Sequence, residues 1–169
     1  KNTLAVSPVT NWPRKNWPMK NFTLLIKILL ENKALHVSKI IILGDKTEYE
    51  KCEKLRKSIN SKNVSNLAGQ QSILVIHELL KKCKLFIGND SGLTHLAAAS
   101  GTLTLSLFGP SKDKYYRPWG TNGFFITTPK TFEELVPQQG HTRFDDSSLM
   151  EGLLVKEVTK KCITILMKK

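Results

Sequence analysis

The chain has 169 residues, of which 40% are hydrophobic and 24% charged, and its formal net charge is +12. This length suffices for one domain with a hydrophobic core, but not for two domains of ordinary size. Charged residues are interspersed with apolar runs, which excludes a disordered chain, and three scattered cysteines exclude a disulfide scaffold or a Cys/His metal site.

Two explanations fit the positive charge. The lysines either attract a phosphorylated substrate, an anionic membrane surface or nucleic acid, or they are a compositional bias that solvates the surface. No nucleic-acid motif and no basic stripe with interleaved aromatics is present, so we expect no nucleic-acid partner and at most peripheral membrane contact. The weakly charged stretch 85–109 contains a polar GNDSG break, which favours a soluble strand, turn and helix over a membrane span.

Strands and helices alternate in the first half of the chain. Residues 4–9 (LAVSPV) predict a short strand, and the prolines of TNWPRKNWP place a loop after it. A helix begins near Pro18, because apolar residues recur after it at three- and four-residue spacing: Phe22, Leu25, Ile26, Leu29 and Leu30. The run KIIIL at 39–43 predicts a strand buried on both faces, followed by a polar helix over 47–60.

The second half continues the alternation. We predict strands at 63–67, 85–88, 102–109 and 124–128, helices at 72–82 and after the NDSG turn, a loop over 129–148, and a closing helix within 149–169. This order predicts an α/β fold, a Rossmann-like three-layer αβα arrangement around a parallel sheet.

The segment 88–95 (GNDSGLTH) carries the chemistry, because it joins a buried strand to a helix at the sheet edge where α/β folds bind ligands. The N–H groups of Ser91, Gly92 and Leu93 would open the helix, and with the helix dipole they form a site suited to a diphosphate. Gly92 has no Cβ to obstruct phosphate oxygens, and His95 adds a hydrogen bond or a positive charge.

A purely structural explanation competes with this interpretation. Asp90 or Ser91 would then be an ordinary helix cap, and His95 a satisfied core histidine. The segment matches neither the phosphate loop G-x-x-x-x-G-K-[ST] nor the dinucleotide fingerprint G-x-G-x-x-G. The residues alone leave both alternatives open.

The run 90–111, DSGLTHLAAASGTLTLSLFGPS, resembles the signature of glycosyltransferase family 9, the ADP-heptose:lipopolysaccharide heptosyltransferases. Lys15 to Pro18 is similar to that family's K-x-W-P element, residues 67–69 to its L-x-G turn, and residues 116–120 (YRPWG) to its W/Y-R-P-x-G tail. The resemblance covers about residues 1–165. Thr102-Leu103 departs from it where a proline is usual, and Asp45 where a small residue is usual; neither change removes a functional group.

The resemblance implies a GT-B architecture, in which residues 1–169 form the C-terminal, nucleotide-sugar-binding domain and the N-terminal acceptor domain is absent from this chain. It implies an enzyme without cofactor or metal that moves a sugar from ADP-heptose, or a related donor, to a lipopolysaccharide core acceptor. Its setting would be the cytoplasm, at the inner face of the inner membrane, with an N-terminal half as partner. The family's base lies in that half, so no catalytic residue is named here. The alternative is a separate donor-binding half without turnover of its own.

The resemblance also assigns roles to donor-binding residues. Lys15 would place a cation on the donor diphosphate, which offsets the charge of the leaving group. Glu48 would accept hydrogen bonds from ribose or heptose hydroxyls, Asp90 would bind the sugar or order the phosphate loop, and Leu67 would lie along the adenine slot. Each has a plainer alternative: a surface lysine, an acid at a helix N-terminus, a helix cap and a core leucine.

Three tryptophans, Trp12, Trp17 and Trp119, stand in proline-containing loops. Each is a candidate for stacking on a base or sugar, because an indole offers a broad apolar face. The alternative is an anchor that fixes a loop to the core, which is common for tryptophans beside prolines.

Overall fold

The computed structural model describes residues 2–136 and 147–168, and a six-stranded parallel sheet forms its centre. The strands are β1 Thr3–Ser7, β2 Lys39–Ile42, β3 Val64–Asn66, β4 Leu85–Asn89, β5 Thr104–Phe108 and β6 Gly123–Thr127. Their spatial order is β3-β2-β1-β4-β5-β6, and all five strand pairs are parallel. This is the doubly wound order of Rossmann-like domains, so the predicted fold class is confirmed.

Seven α-helices are present among the described residues. They are α1 Met19–Glu31, α2 Tyr49–Ile59, α3 Ile73–Leu80, α4 Gly92–Ala99, α5 Asp113–Tyr116, α6 Phe132–Leu135 and α7 Val155–Met167. Short 3₁₀ turns precede α1 and β2, at Pro13–Lys15 and Lys33–Leu35.

The sheet is buried on both faces because successive strand side chains point to opposite sides. Leu4 and Val6 belong to the larger hydrophobic cluster, which also holds the buried sides of α1, α2 and α7. Ala5 belongs to the smaller cluster, which it shares with α3 and α4. The continuous apolar runs of the sequence are the consequence of this double coverage.

In the C-terminal part, one prediction needs correction, and the bounds of the predicted closing helix can be given. The predicted loop 129–148 contains the one-turn helix α6, which Thr131 and Glu134 cap reciprocally; residues 137–146 lie outside the described part of the chain. The closing helix begins only at Val155, because Met150 and Leu153 instead form a turn whose side chains are buried in the larger cluster.

The strand order places a crevice at one point of the sheet. The chain winds outward from β1 to β3, then returns to place β4 on the other side of β1. The connections after β1 and β4 therefore leave the sheet in opposite directions, and they part at its carboxyl edge. Lys15 follows β1 and Asp90 follows β4, so both residues lie at this switch point.

Candidate functional site

A cleft of about 960 Å³ opens at the carboxyl edge of the sheet, where the segments following β1, β2, β3 and β4 converge. Its walls include four of the residues that the sequence singled out: Glu48, Ser91, Gly92 and His95. This volume lies within the range of small-molecule sites, and apolar walls with a few polar groups are typical of them.

The N-terminus of α4 forms one wall of the cleft. Ser91 is the N-cap, but its side chain makes no capping hydrogen bond, and its Oγ is buried without a partner among the described residues. In the same described part of the chain, the N–H groups of Gly92 and Leu93 have no acceptor either. A Cβ built on Gly92 would meet nothing within 4 Å, so the approach to these donors is open. Such a helix end binds anions.

An ion pair lies next to this helix end. The ammonium of Lys15 is 2.6 Å from Oδ2 of Asp90, whose side chain is only 6% exposed. Nε2 of His95 lies 4.0 Å from Oδ1 of the same carboxylate. The structure thus brings together Lys15, Asp90 and His95, which the resemblance implied separately.

Lys15 also has two aromatic neighbours. Its Nζ lies 5.6 Å from the ring centroid of Trp12 and 5.8 Å from that of Tyr116. Both distances are in the range of cation–π attraction, which helps to hold an ammonium that is partly withdrawn from water. Lys15 itself keeps 21% of its side chain exposed, so it can reach a ligand.

Asn89 fixes the loop that carries Lys15. Its Oδ1 accepts from the backbone N–H of Trp17 at 3.0 Å, and its Nδ2 donates to the carbonyl of Pro8 at 2.8 Å. Asn89 is fully buried, so both bonds are shielded from water. This single amide ties both ends of the loop after β1 to the end of β4, and Lys15 lies between those two attachment points.

The segment before α7 closes over the same loop. The indole N–H of Trp17 donates to the carbonyl of Leu153 at 2.8 Å, and the Ser148 hydroxyl donates to the carbonyl of Asn16 at 2.6 Å. Trp17 is fully buried and packs edge-on against Phe22, with the two ring centroids 5.0 Å apart. Trp17 is therefore a loop anchor, and its indole is closed to a stacking base.

Glu48 lies on the opposite wall, where Asp45 shapes the turn into α2. Asp45 Oδ1 accepts from the N–H and the hydroxyl of Thr47 and from the N–H of Glu48, and these bonds lower the pKa of the Asp45 carboxyl. Glu48 Oε2 accepts from the N–H of Asp45 at 2.9 Å. Partial burial raises the pKa of Glu48, so its carboxylate is less well solvated than a surface acid.

The remaining candidates lie elsewhere. Leu67 packs beside the smaller hydrophobic cluster and does not line the cleft, whereas Gly69, two residues later, does. Trp119 lies after α5 with 83% of its surface exposed. Within residues 2–136 and 147–168, no group of three His, Cys, Asp or Glu side chains is arranged to hold a metal ion. In the same ranges no helix is long and apolar enough to cross a membrane.

Sequence reasoning missed Asn89 and Asp45 as organisers of the site. Asn89 stands in the quoted motif, and an amide at the end of a fully apolar strand is the signal that identifies it, since such a group needs buried partners. From the sequence, Asp45 was noted only as a departure from the small residue that is usual at this position of the family. An Asp followed two positions later by Thr, just before a helix, is the pattern of a capping turn, because its carboxylate can accept from the backbone N–H two residues on.

Comparisons with known proteins identify the family of this chain. The sequence model of glycosyltransferase family 9 (heptosyltransferase) matches residues 1–136. Lipooligosaccharide heptosyltransferase 2 of Campylobacter jejuni is 36% identical over 83 residues, which are 47% of this chain and 26% of that protein. Lipopolysaccharide heptosyltransferase 3 of Escherichia coli is 33% identical over 78 residues, 46% of this chain and 23% of that protein.

Solved structures share the fold. E. coli ADP-heptose lipopolysaccharide heptosyltransferase II aligns with a TM-score of 0.79 and 20% identity, over 98% of this chain and 46% of that one. The chain thus spans about half the length of that protein. Because the family model matches well over half of its residues, the chain belongs to glycosyltransferase family 9.

Proposed function

We propose that this chain binds the nucleotide-sugar donor of a heptosyltransferase and works as the donor half of the enzyme. The donor would be ADP-heptose or a close relative, and the acceptor a lipopolysaccharide core saccharide. One observation carries the proposal: the Lys15–Asp90 ion pair adjoins the N–H groups and the Ser91 hydroxyl at the start of α4, which have no hydrogen-bond partner among the described residues.

The chemistry follows from charge. In transfer with inversion, the bond between the anomeric carbon and the donor phosphate breaks, and an acceptor hydroxyl bonds to that carbon from the opposite face. The acceptor proton goes to a base, and the nucleoside diphosphate leaves with an additional negative charge. Lys15, the N–H groups of α4 and His95 would stabilise that charge.

ADP is the nucleotide favoured by similarity. E. coli heptosyltransferase WaaC, solved with ADP, has the same fold with a TM-score of 0.77 and 19% identity, over 97% of this chain and 44% of that one. Glu48 would accept from ribose hydroxyls across the cleft, because a carboxylate accepts two such bonds. The apolar side of the cleft around Ile73 and Ile76 would receive the base.

Donor binding without turnover is the second candidate. The carboxylates of this site are all engaged: Asp90 holds Lys15, Asp45 caps the turn into α2, and Glu48 accepts from Asp45. With these roles, and with Glu48 on the ribose, none of the three is assigned to take a proton from an acceptor, so we expect the base to come from another segment or another chain. An N-terminal acceptor half, fused or separate, would supply it, and the cytoplasmic face of the inner membrane would be the setting.

Calorimetric titration of the purified chain with ADP and UDP tests the proposal, with His95→Ala and Lys15→Ala alongside the parent. We expect ADP to bind and both substitutions to weaken it. Lys62→Ala, a lysine at the opposite sheet edge, is the matched control. Failure of the folded chain to bind either nucleotide overturns the donor-site assignment. Sugar transfer by the isolated chain at a normal enzymatic rate overturns the second candidate.

A further inference from the structure

A second concave surface lies beside the donor cleft, on the side of β5 and β6. Two cavities make up this surface, one of about 440 Å³ and one of about 390 Å³. Lys114 and Tyr115 line both of them, so the cavities adjoin each other. We name the first the cationic cavity and the second the aromatic cavity.

The cationic cavity is built from the segments that follow β5 and β6. Its cations are Lys112, Lys114 and Lys130. Ser111 lines the same cavity, is only 8% exposed, and has an Oγ without a hydrogen-bond partner among the described residues. A buried hydroxyl left unpaired costs stability, and a phosphate oxygen in this cavity would supply the missing partner.

The charge balance of the two cavities remains positive. Two carboxylates line the cationic cavity, those of Asp113 and Glu133. Glu133 already forms a salt bridge with Lys112, in which Oε1 lies 3.3 Å from Nζ. Lys114, Lys130 and the Arg117 of the aromatic cavity form no salt bridge in the described part of the chain, although the charge of Lys130 also acts on the nearby Glu134 carboxyl. Cations with hydroxyl donors beside them are the groups that bind phosphate oxygens.

The aromatic cavity offers apolar faces next to those cations. Trp119 and Tyr115 are 83% and 66% exposed, and Arg117 lies 6.0 Å from the Phe125 ring. Exposed large aromatic groups that line a cavity mark interaction sites, and their flat faces pack on the C–H faces of sugar rings. The ring centroid of Tyr116, the residue after Tyr115, lies 5.8 Å from Nζ of Lys15. This surface therefore borders the diphosphate end of the proposed donor site.

We infer that the two cavities bind a phosphorylated saccharide, with its phosphate in the cationic cavity and a sugar ring against Trp119. The inference rests on the proposed function, since a phosphate-bearing acceptor saccharide would need a site at this border. A membrane surface is a poorer fit, because the cations and the Ser111 hydroxyl line concavities that a flat headgroup layer does not enter.

Calorimetry with the full chain provides the test. The probe is deacylated lipopolysaccharide core that retains its phosphates, compared with the same saccharide after dephosphorylation, with inorganic phosphate, and with phosphatidylglycerol vesicles. Lys114→Gln/Lys130→Gln should weaken binding of the phosphorylated saccharide about 10-fold or more, and Ser111→Ala and Trp119→Ala should each weaken it measurably. The control Lys62→Gln/Lys84→Gln removes the same charge at the amino edge of the sheet and should have less than about a twofold effect.

Each other outcome overturns a stated part of the inference. Equal weakening by both double variants would mean general charge attraction, and equal binding of the dephosphorylated saccharide would remove the role of phosphate. Inorganic phosphate that binds as tightly as the saccharide would remove the sugar contact, and binding of vesicles alone would assign the surface to a membrane. ADP titration of the same proteins reports the donor site independently: ADP binding without saccharide binding overturns this inference only, and the reverse overturns only the proposed donor site.

Discussion

Lys15 and Asp90 stand 75 positions apart in the chain and meet at 2.6 Å. Lys15 belongs to the loop after β1 and Asp90 to the turn after β4, and these two strands are neighbours at the point where the strand order reverses. The ion pair therefore joins the two halves of the sheet at its carboxyl edge, next to the open N-terminus of α4.

Lys15→Met should separate the two functions of this lysine, which are its ion pair with Asp90 and its proposed contact with the donor diphosphate. The buried Asp90 carboxylate loses its cation, so the free energy of unfolding should fall by about 1–3 kcal/mol, and ADP binding should weaken about 10-fold to 100-fold. Lys15→Met/Asp90→Asn should recover much of the stability, because no buried charge is left, but not the ADP affinity. Urea denaturation and calorimetry measure both. Strictly additive losses of stability in this cycle would contradict the pairing.

Gly92→Ala should affect binding without harming the fold. The backbone of Gly92 is not in the left-handed region and nothing lies within 4 Å of the added Cβ, so stability should be unchanged or rise by about 0.4–1 kcal/mol. The methyl group would stand where phosphate oxygens approach, so ADP should bind at least about 10-fold more weakly. Adenosine, which lacks phosphate, is the control ligand and should be unaffected; equal loss for adenosine would place the diphosphate elsewhere.

Glu48→Gln should weaken ADP binding and leave stability intact. Burial raises the pKa of Glu48, so its protonated form stabilises the folded chain relative to the unfolded one. This contribution is complete below the pKa of Glu48 in the unfolded chain, and it is lost as pH rises through the pKa of Glu48 in the folded chain. At pH 7 a neutral amide therefore costs the fold nothing, and its oxygen can still accept from Asp45. Glu50→Gln, in the exposed first turn of α2, removes the same charge as a control. A similar ADP affinity for the two variants would argue against a ribose contact.

The three cysteines should be unreactive in the folded chain. All are free thiols, and burial raises the pKa of Cys52 to about 12, that of Cys83 to about 11, and that of Cys162 as well. Alkylation by iodoacetamide at pH 8 should be slow in buffer and at least about 100-fold faster in urea, because the thiolate is the reactive form. Rapid alkylation of Cys83 in buffer would show that its site opens in solution.

The same thiols make stability depend on alkaline pH. Their pKa values are raised on folding, so their contribution is complete below the unfolded pKa of about 8.5 and declines as pH rises toward 11 and 12. The free energy of unfolding should therefore decline above about pH 8.5. Cys83→Ala should lessen that decline, and an identical decline in the variant would mean that other groups cause it.

The sequence by itself determined the fold class. Runs such as KIIIL at 39–43 are apolar at every position, and only a strand covered on both faces requires that pattern. The spacing of Phe22, Leu25, Ile26 and Leu29 likewise determined which side of α1 is buried. The turn at 90–92, which we propose binds the donor diphosphate, was also recognisable as a strand–turn–helix junction, because a strand, a Gly-containing turn and a helix are local features.

The tertiary structure alone decided how these parts meet. No local pattern pairs Lys15 with Asp90, fixes their loop through Asn89, or buries Trp17 under Leu153, since each of these contacts spans at least 72 positions of the chain. Ser111 and Lys130 likewise share a cavity only because β5 and β6 are adjacent and parallel. Local propensity and periodicity act over a few residues, whereas the site depends on which strands become neighbours, and packing of the whole core settles that.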